Sequence, residues 1–455
     1  MERRPSYGPN SITIGDRGAT TVGNVLQTAL ALFGEKGFHN TTIQDIADQA
    51  EMSRATLYQY FESKERIFIE LLEECGASLL DLARHLEPLS ATERGFSNLR
   101  WWLDRWAEVY ERYEILFREW SNIDTPGAPV RPLVAKFNET YNTRIADWLS
   151  SSGVNGVDPR DAANMLTSLI IYLNYADHAS KESGSGTRLP SEELRYYFSV
   201  SLQLMLFPET PVDVTRGDRT VPRAWKNHRI TGKLASRDLG PMPTPYSDRV
   251  AGLTARAVQT VNILMRAGGE CFAEFGYQKT NIDDIVRTAG FARGTFYKYF
   301  DTKVELLEAL AEMCARDLIA GALRLERVNE NDYTNDFKEW VRTTLKASSE
   351  YRGVIRAWRE RRPATTAMEG MRAHVATSIR RALFLALSRS RRGHPMHLSA
   401  SRIFVGGVFD QFPDTLVLHY TDPSPEYLET LIADLLDRAI LGFTDEARHS
   451  PGPRE

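Results

Sequence analysis

The feature that most constrains this 455-residue chain is an internal repeat: Phe33 to Lys64 aligns without a gap to Phe272 to Lys303. Identities fall at Phe33/Phe272, Gly37/Gly276, Thr41/Thr280, Ile43/Ile282, Asp45/Asp284, Ile46/Ile285 and Ala50/Ala289. They continue through Arg54/Arg293, Thr56/Thr295, Tyr58/Tyr297, Tyr60/Tyr299, Phe61/Phe300 and Lys64/Lys303. Chance does not place so many aromatic residues in register. The spacing from Leu26 to Phe207 nearly equals that from Met265 to Phe443, so a whole domain of roughly 180 residues reads as duplicated.

Both copies read as helical. Apolar residues recur at three- and four-residue spacing, with no sustained strand-type alternation. In the first copy Leu26, Leu30 and Phe33 form one stripe, which Gly37 stops. A short second helix begins at Thr42, whose hydroxyl can cap free N–H groups, with Asp45 three residues on. Glu51-Met52 breaks the chain before Ser53 caps a third helix, and a fourth starts near Ser63-Lys64. Two short helices joined by a tight turn are the arrangement that presents a recognition helix to the major groove. Arg54 or Arg293 can bond guanine bidentately or bind phosphate, and Gln59 can bond adenine edges. Thr56, Tyr58 and Tyr60 offer hydroxyls to phosphate. Lys64 and Lys303 add positive charge at the start of the next helix.

Composition does not point to DNA. The formal net charge is −4, so a nucleic-acid surface has to be local. Hydrophobic residues make up 42% and charged residues 25%, as in an ordinary globular chain. No apolar run reaches the roughly 18 residues that span a bilayer, and the N-terminus lacks an apolar signal core; a cytoplasmic protein with no membrane partner is expected. Cys75, Cys271 and Cys314 are too scattered for a disulfide framework or metal knuckle, and His394 and His397 in RRGHPMH have no further ligand set nearby. No metal or cofactor is expected. A nucleophile elbow and a phosphate loop are both missing, so an enzyme is the weakest reading.

The segments TTIQDIADQAEMSRATLYQYFESKERI and TNIDDIVRTAGFARGTFYKYFDTKVEL resemble the N-terminal domain of the tetracycline-repressor (TetR) family. The resemblance covers about 50 residues in each copy and is architectural beyond that. It implies an all-α fold of two tandem units, each a three-helix DNA-binding head with a helical body for ligand binding and dimerisation. Ligand-relieved repression usually goes with it. By position it makes Thr42, Arg54, Ala55, Thr56, Tyr58, Gln59, Tyr60 and Lys64 the DNA-facing set of the first head. Arg293, Gly294, Thr295, Tyr297, Lys298, Tyr299 and Lys303 are their counterparts. The second head departs from the pattern at Ala292, which replaces the capping serine, and at Gly294, early in the recognition helix.

On this reading residues 1–20 are an N-terminal arm, 21–66 the first head, 67–207 its body and 208–250 a linker. Residues 251–305 are the second head, 306–445 its body and 446–455 a tail. The first body places Trp102, Trp106, Tyr113 and Phe117 on one helical face. Taken singly these aromatics read as packed core; as a group, with Tyr172, they can line a pocket for a flat or greasy effector. The last two helices of each copy carry broad apolar faces, which in the resembled family form a four-helix dimer interface. The partner can be the other copy, giving a pseudo-dimer within the chain, or a second chain, giving a homodimer. The expected partners are a double-stranded DNA operator and a small-molecule effector. A helical scaffold whose heads no longer bind DNA is the alternative.

Overall fold

A computed structural model describes residues 16–123, 130–182, 189–216, 239–328, 333–360, 363–389, 393–412 and 424–442. Most of the expected N-terminal arm, the tail and the middle of the linker, 217–238, lie outside these residues. Every regular element among the described residues is a helix, and none is long and apolar enough to cross a membrane.

Local signals set the first head. Helix α1 (Asp16–Lys36) ends where Gly37 takes φ 81° and its amide closes on Phe33 O at 3.0 Å, a conformation open to a residue without Cβ. Thr42 caps α2 (Ile43–Gln49): its hydroxyl accepts from the Asp45 amide, and the Asp45 carboxylate accepts from the Thr42 amide at 2.8 Å. This is a reciprocal capping box. Hydrogen bonds from the Thr42 hydroxyl and amide, then from Lys36, hold the Asp45 carboxyl down at about 2. The box is therefore complete above the ordinary value of 3.8 and is lost as the pH falls toward 2. Glu51, at φ 54°, turns the chain into α3 (Arg54–Tyr58), which Ser53 caps by accepting from Thr56 N. Ser63 caps α4 (Lys64–Arg84) in the same way.

The first copy continues through α5 (Glu93–Ile123), α6 (Val130–Ser151), α7 (Pro159–Glu182) and α8 (Ser191–Leu206). Two short helices follow, α9 (Val212–Arg216) and α10 (Pro245–Val250). The second head is α11 (Ala255–Phe275), α12 (Ile282–Ala289) and α13 (Arg293–Tyr297). Gly276 stops α11 at φ 77°, and Asn281 with Asp284 forms the capping box of α12. Gly290, at φ 70°, takes the turn position that Glu51 holds in the first copy. The second body comprises α14 (Lys303–Arg327), α15 (Tyr333–Glu350), α16 (Arg352–Glu360), α17 (Thr366–Arg389), α18 (Leu398–Gly406) and α19 (Pro425–Leu436). Helices α18 and α19 each run on into a π-helical turn, 407–411 and 437–441.

The aromatic residues repeated in register are largely head core. Phe33 packs on Phe38 with ring centroids 5.1 Å apart, and Phe38 packs on Phe68 at 5.3 Å. Phe61, Phe272, Phe296 and Phe300 are buried in the same manner. Tyr58 and Tyr297 differ, at 42% and 45% exposed.

The chain divides into two compact units, and the division does not follow the repeat. The first unit, Met1–Ser90, Ser97–Val154 and Asp158–Ala163, holds the first head and most of its body. The second, Ala91–Phe96, Asn155–Val157 and Asn164–Glu455, holds the second copy together with α8 and most of α7 from the first. Within it α8 packs on α18 and on the π-helical turn 437–441. Its burial from Tyr196 to Leu206 is continuous, the mark of a helix surrounded by protein.

The described ends of the 208–250 segment are docked. Thr215 Oγ1 is 2.7 Å from His394 Nδ1, and Arg216 Nη2 donates to Gly393 O at 3.2 Å. At the other end the buried Glu312 carboxylate accepts from Tyr246 N at 2.6 Å, from Ser247 N at 3.1 Å and from Ser247 Oγ at 2.6 Å. Arg316 pairs with it at 2.7 Å. A fully buried carboxylate is tolerated only with such a set of partners.

Candidate nucleic-acid interface

Helix α3 buries Leu57 and turns the rest of its surface outward: Arg54, Ala55, Tyr58 and Gln59 are exposed, and Thr56 and Tyr60 half-buried. Arg54 Nη2 donates to Tyr58 Oη at 3.0 Å, with the guanidinium 5.3 Å from the ring centroid. A guanidinium and a phenol therefore stand together at the surface. Such a face can bond base edges and phosphates at once. Thr42 is exposed at the start of α2, where its hydroxyl belongs to the capping box. Thr56 Oγ1 lies 2.8 Å from Ser53 Oγ.

The second head repeats the arrangement with two differences. Arg293, Gly294, Tyr297 and Lys298 are exposed, Thr295 and Tyr299 are half-buried, and Phe296 takes the buried position of Leu57. Arg293 Nη2 donates to Tyr297 Oη at 3.3 Å, and its Nη1 also reaches both carboxylate oxygens of Asp283, at 3.1 and 3.0 Å. Gln44 occupies the equivalent position in the first head and donates instead to Asp48 Oδ1 at 2.6 Å. Asp283 is a partner of Arg293 that sequence reading did not single out; setting Gln44 beside Asp283 in the repeat is the signal that finds it. The second difference is the cap: Ala292 makes no side-chain bond to α13. Ala292→Ser is expected to stabilise the second head by about 1 kcal/mol, read as greater hydrogen-exchange protection of the Thr295 amide; no gain in protection contradicts this account of the cap.

Lys64 and Lys303, expected to present charge to phosphate, are half-buried and bonded to backbone carbonyls of their own heads. Lys64 Nζ donates to Phe38 O at 2.6 Å and Thr41 O at 2.7 Å, and lies 4.4 Å from the Phe38 ring centroid. Lys303 Nζ donates to Tyr277 O and Thr280 O, both at 2.8 Å, and to Gln278 O at 3.3 Å. Desolvation holds both ammonium groups below the ordinary lysine value. They tie the start of the following helix to the loop after the first, and their donors are directed inward.

The expected pocket aromatics are divided between the two units, with Trp102, Trp106, Tyr113 and Phe117 in the first and Tyr172 in the second. Trp102, Trp106 and Tyr113 are buried, Trp106 Nε1 donates to Tyr141 Oη at 3.0 Å, and the Trp102 ring meets Trp148 at 5.5 Å. Phe117 stacks on Tyr110 at 4.8 Å. Tyr172 belongs to the second unit, where its Oη donates to Asp410 at 2.9 Å. An open cleft of about 470 Å³ lies elsewhere in the first unit, lined by Gln27, Leu30, Ala31 and Gly34 of α1, Leu71 and Glu74 of α4, and Arg112 of α5. At its edge Glu74 Oε1 accepts from Arg112 Nη2 at 2.7 Å and from Tyr113 Oη at 2.6 Å.

Among the described residues no group of three or more His, Cys, Asp or Glu could hold a metal ion. The three cysteines are buried and free, and burial pushes the Cys75 thiol up to about 12.

Residues 25–71 and 264–310 each match the family described as bacterial regulatory proteins, tetR family. The HTH-type transcriptional regulator RutR of Escherichia coli (strain K12) is 30% identical over 178 residues, 37% of this chain and 80% of that protein. The biofilm operon icaADBC HTH-type negative transcriptional regulator IcaR of Staphylococcus epidermidis is 24% identical over 146 residues, 31% of this chain and 76% of its own length. Its Staphylococcus aureus (strain Newman) namesake is 37% identical over 136 residues, covering 29% and 70%. Each relative is thus matched over most of its length by about a third of the chain. With two matched heads, an all-helical fold and relatives that are transcriptional regulators, this chain belongs to the tetR family of bacterial regulatory proteins and carries the family's DNA-binding domain twice.

Proposed function

We propose that this chain is a repressor in which both heads act on one duplex, the two copies pairing within the chain, and that a small molecule releases it. The observation that carries the reading is the paired Arg–Tyr surface: Arg54 with Tyr58 and Arg293 with Tyr297 stand exposed at equivalent positions of two aromatic-cored heads. The packing of α8 against α18 and the π-helical turn 437–441 supports pairing within the chain. Because the faces SRATLYQYF and ARGTFYKYF differ, the operator is asymmetric, with half-sites about one helical turn apart. The name of the IcaR relatives, a negative regulator, supports repression. The cleft between α1 and helices α4 and α5 supports release, since a ligand there touches both the head and the body. Coupling of about 1 to 3 kcal/mol between ligand and operator suffices.

Selection of binding sites from random duplexes tests the proposal. The expected product is a non-palindromic sequence of two half-sites, bound with steep salt dependence. A pool with no enriched sequence leaves a helical scaffold as the reading. Asp283→Gln, which frees Arg293 and removes a carboxylate from the binding face, is expected to tighten operator binding about three- to tenfold at low salt. Fluorescence anisotropy measures this; unchanged affinity means that the second head makes no use of this face.

A further inference from the structure

The surfaces through which the two copies meet carry different residues at pseudo-equivalent positions. The repeat offset of the heads carries through this region: Leu169, Ile170 and Leu173 correspond to Val408, Phe409 and Phe412, and all six are buried. In the same register Thr167 and Ser168 correspond to Gly406 and Gly407, and Tyr172 to Gln411. Tyr172 and Leu169 seat on the glycine step. A Cβ built at Gly406 would lie 2.7 Å from Tyr172 Oη and 2.8 Å from its Cε1. A Cβ at Gly407 would lie 2.9 Å from Leu169 Cδ2. Contacts this short force something to move.

We infer that the pairing surfaces are keyed to each other and reject themselves, with Tyr172 and Leu169 of the first copy as the knob and Gly406-Gly407 of the second as the hole. A first-copy surface paired with another first-copy surface sets Tyr172 against Thr167 and Ser168, where side chains occupy the space the ring needs. A second-copy surface paired with its like sets Gln411 and Val408 over the glycines and leaves the hole without its ring. Both homotypic pairs are disfavoured, one by overlap and the other by a void.

The edges of the interface are keyed as well. Arg438 donates to Asn155 O and Gly156 O, both at 3.0 Å, and a Cβ at Gly156 would lie 2.6 Å from its Nη2. With Phe207 set on Phe443, the first-copy residue corresponding to Arg438 is Leu202, which has no donor for those carbonyls. The positions corresponding to Asn155 and Gly156 are His394 and Pro395, and there His394 meets Thr215 of the chain leaving α8. The inference rests on the reading that the copies pair within one chain, and it adds that pairing of two chains through like surfaces is disfavoured.

The test starts from the full chain with a protease site placed between residues 217 and 238, nicked after folding and examined by native mass spectrometry. The expected result is one species containing one half of each kind, retained after dilution and reconcentration. Surfaces without preference give about one half unlike pairs and one quarter of each like pair, and that distribution overturns the inference. Gly406→Thr with Gly407→Ser, which places first-copy residues in the hole, is expected to release the halves at least tenfold faster, and adding Tyr172→Ala to restore the pair. Arg438→Leu, which removes the donor to Asn155 O and Gly156 O and the ion pair with Asp434, is expected to give a smaller increase in release; unchanged release in both variants, with helical circular dichroism retained, overturns the inference too. Intact unlike pairing in a protein that selects no operator counts against the proposed function and leaves the keyed surface standing.

Discussion

Arg54→Ala combined with Tyr58→Ala is expected to lower operator affinity about 10²- to 10⁴-fold, far beyond the loss of two surface contacts. The reason is connection. When both heads belong to one paired chain, the second binds at the effective concentration set by the first, so disabling either removes the shared gain along with its own contacts. Arg293→Ala with Tyr297→Ala should act in the same direction, more weakly because Asp283 already engages Arg293 in the free protein. Neither pair should change stability by more than about 0.5 kcal/mol, since all four side chains are exposed and outside the core. Titrations of one duplex with the variants and the unaltered chain decide the matter. A loss below about threefold from both pairs means that DNA is held by some other surface.

Lys64→Met is expected to destabilise the first head by about 2 to 3 kcal/mol while leaving the slope of affinity against salt unchanged. The methionine keeps most of the stem against Phe38 but removes the donor from Phe38 O and Thr41 O, leaving two carbonyls partly buried and unpaired. Lys303→Met should behave alike in the second head, where three carbonyls share the ammonium. A lysine that neutralised a phosphate would behave otherwise: its removal lowers the salt slope by nearly one counterion and leaves stability alone. Chemical denaturation and a salt series on the same variant separate the two roles. An unchanged midpoint with a reduced slope contradicts the inward role.

What could be read from the sequence and what could not follow from the range of the interactions. The boundaries of α2 and α3 depend on Thr42, Asp45, Ser53 and the turn at Glu51, all within a few residues of one another, so local pattern locates them. The phenylalanine positions shared by the repeat, Phe33/Phe272 and Phe61/Phe300, mark the head core because two copies sample the same packing constraint. Lys64 depends on carbonyls 23 and 26 residues away, and nothing in its neighbourhood distinguishes an inward ammonium from an outward one. Trp102, Trp106, Tyr113 and Phe117 read singly as core and as a group as pocket lining, because helical spacing places them on one face without saying whether that face closes. The cleft between α1 and α4 sets Gln27, Ala31 and Gly34 beside Leu30 and Leu71, and its small and polar members carry no pattern of their own. Tyr172 shows the same limit: its partner Asp410 is 238 positions away, in the other copy.

The hydroxyl-radical footprint of one chain on its selected duplex tests most directly whether both heads read one site. Two protected patches are predicted, centred about 10 base pairs apart on one face of the DNA. The first should fade in the Arg54→Ala, Tyr58→Ala variant and the second in the Arg293→Ala, Tyr297→Ala variant. A single patch, indifferent to the second pair of substitutions, would contradict the claim that two unlike heads of one chain read one site.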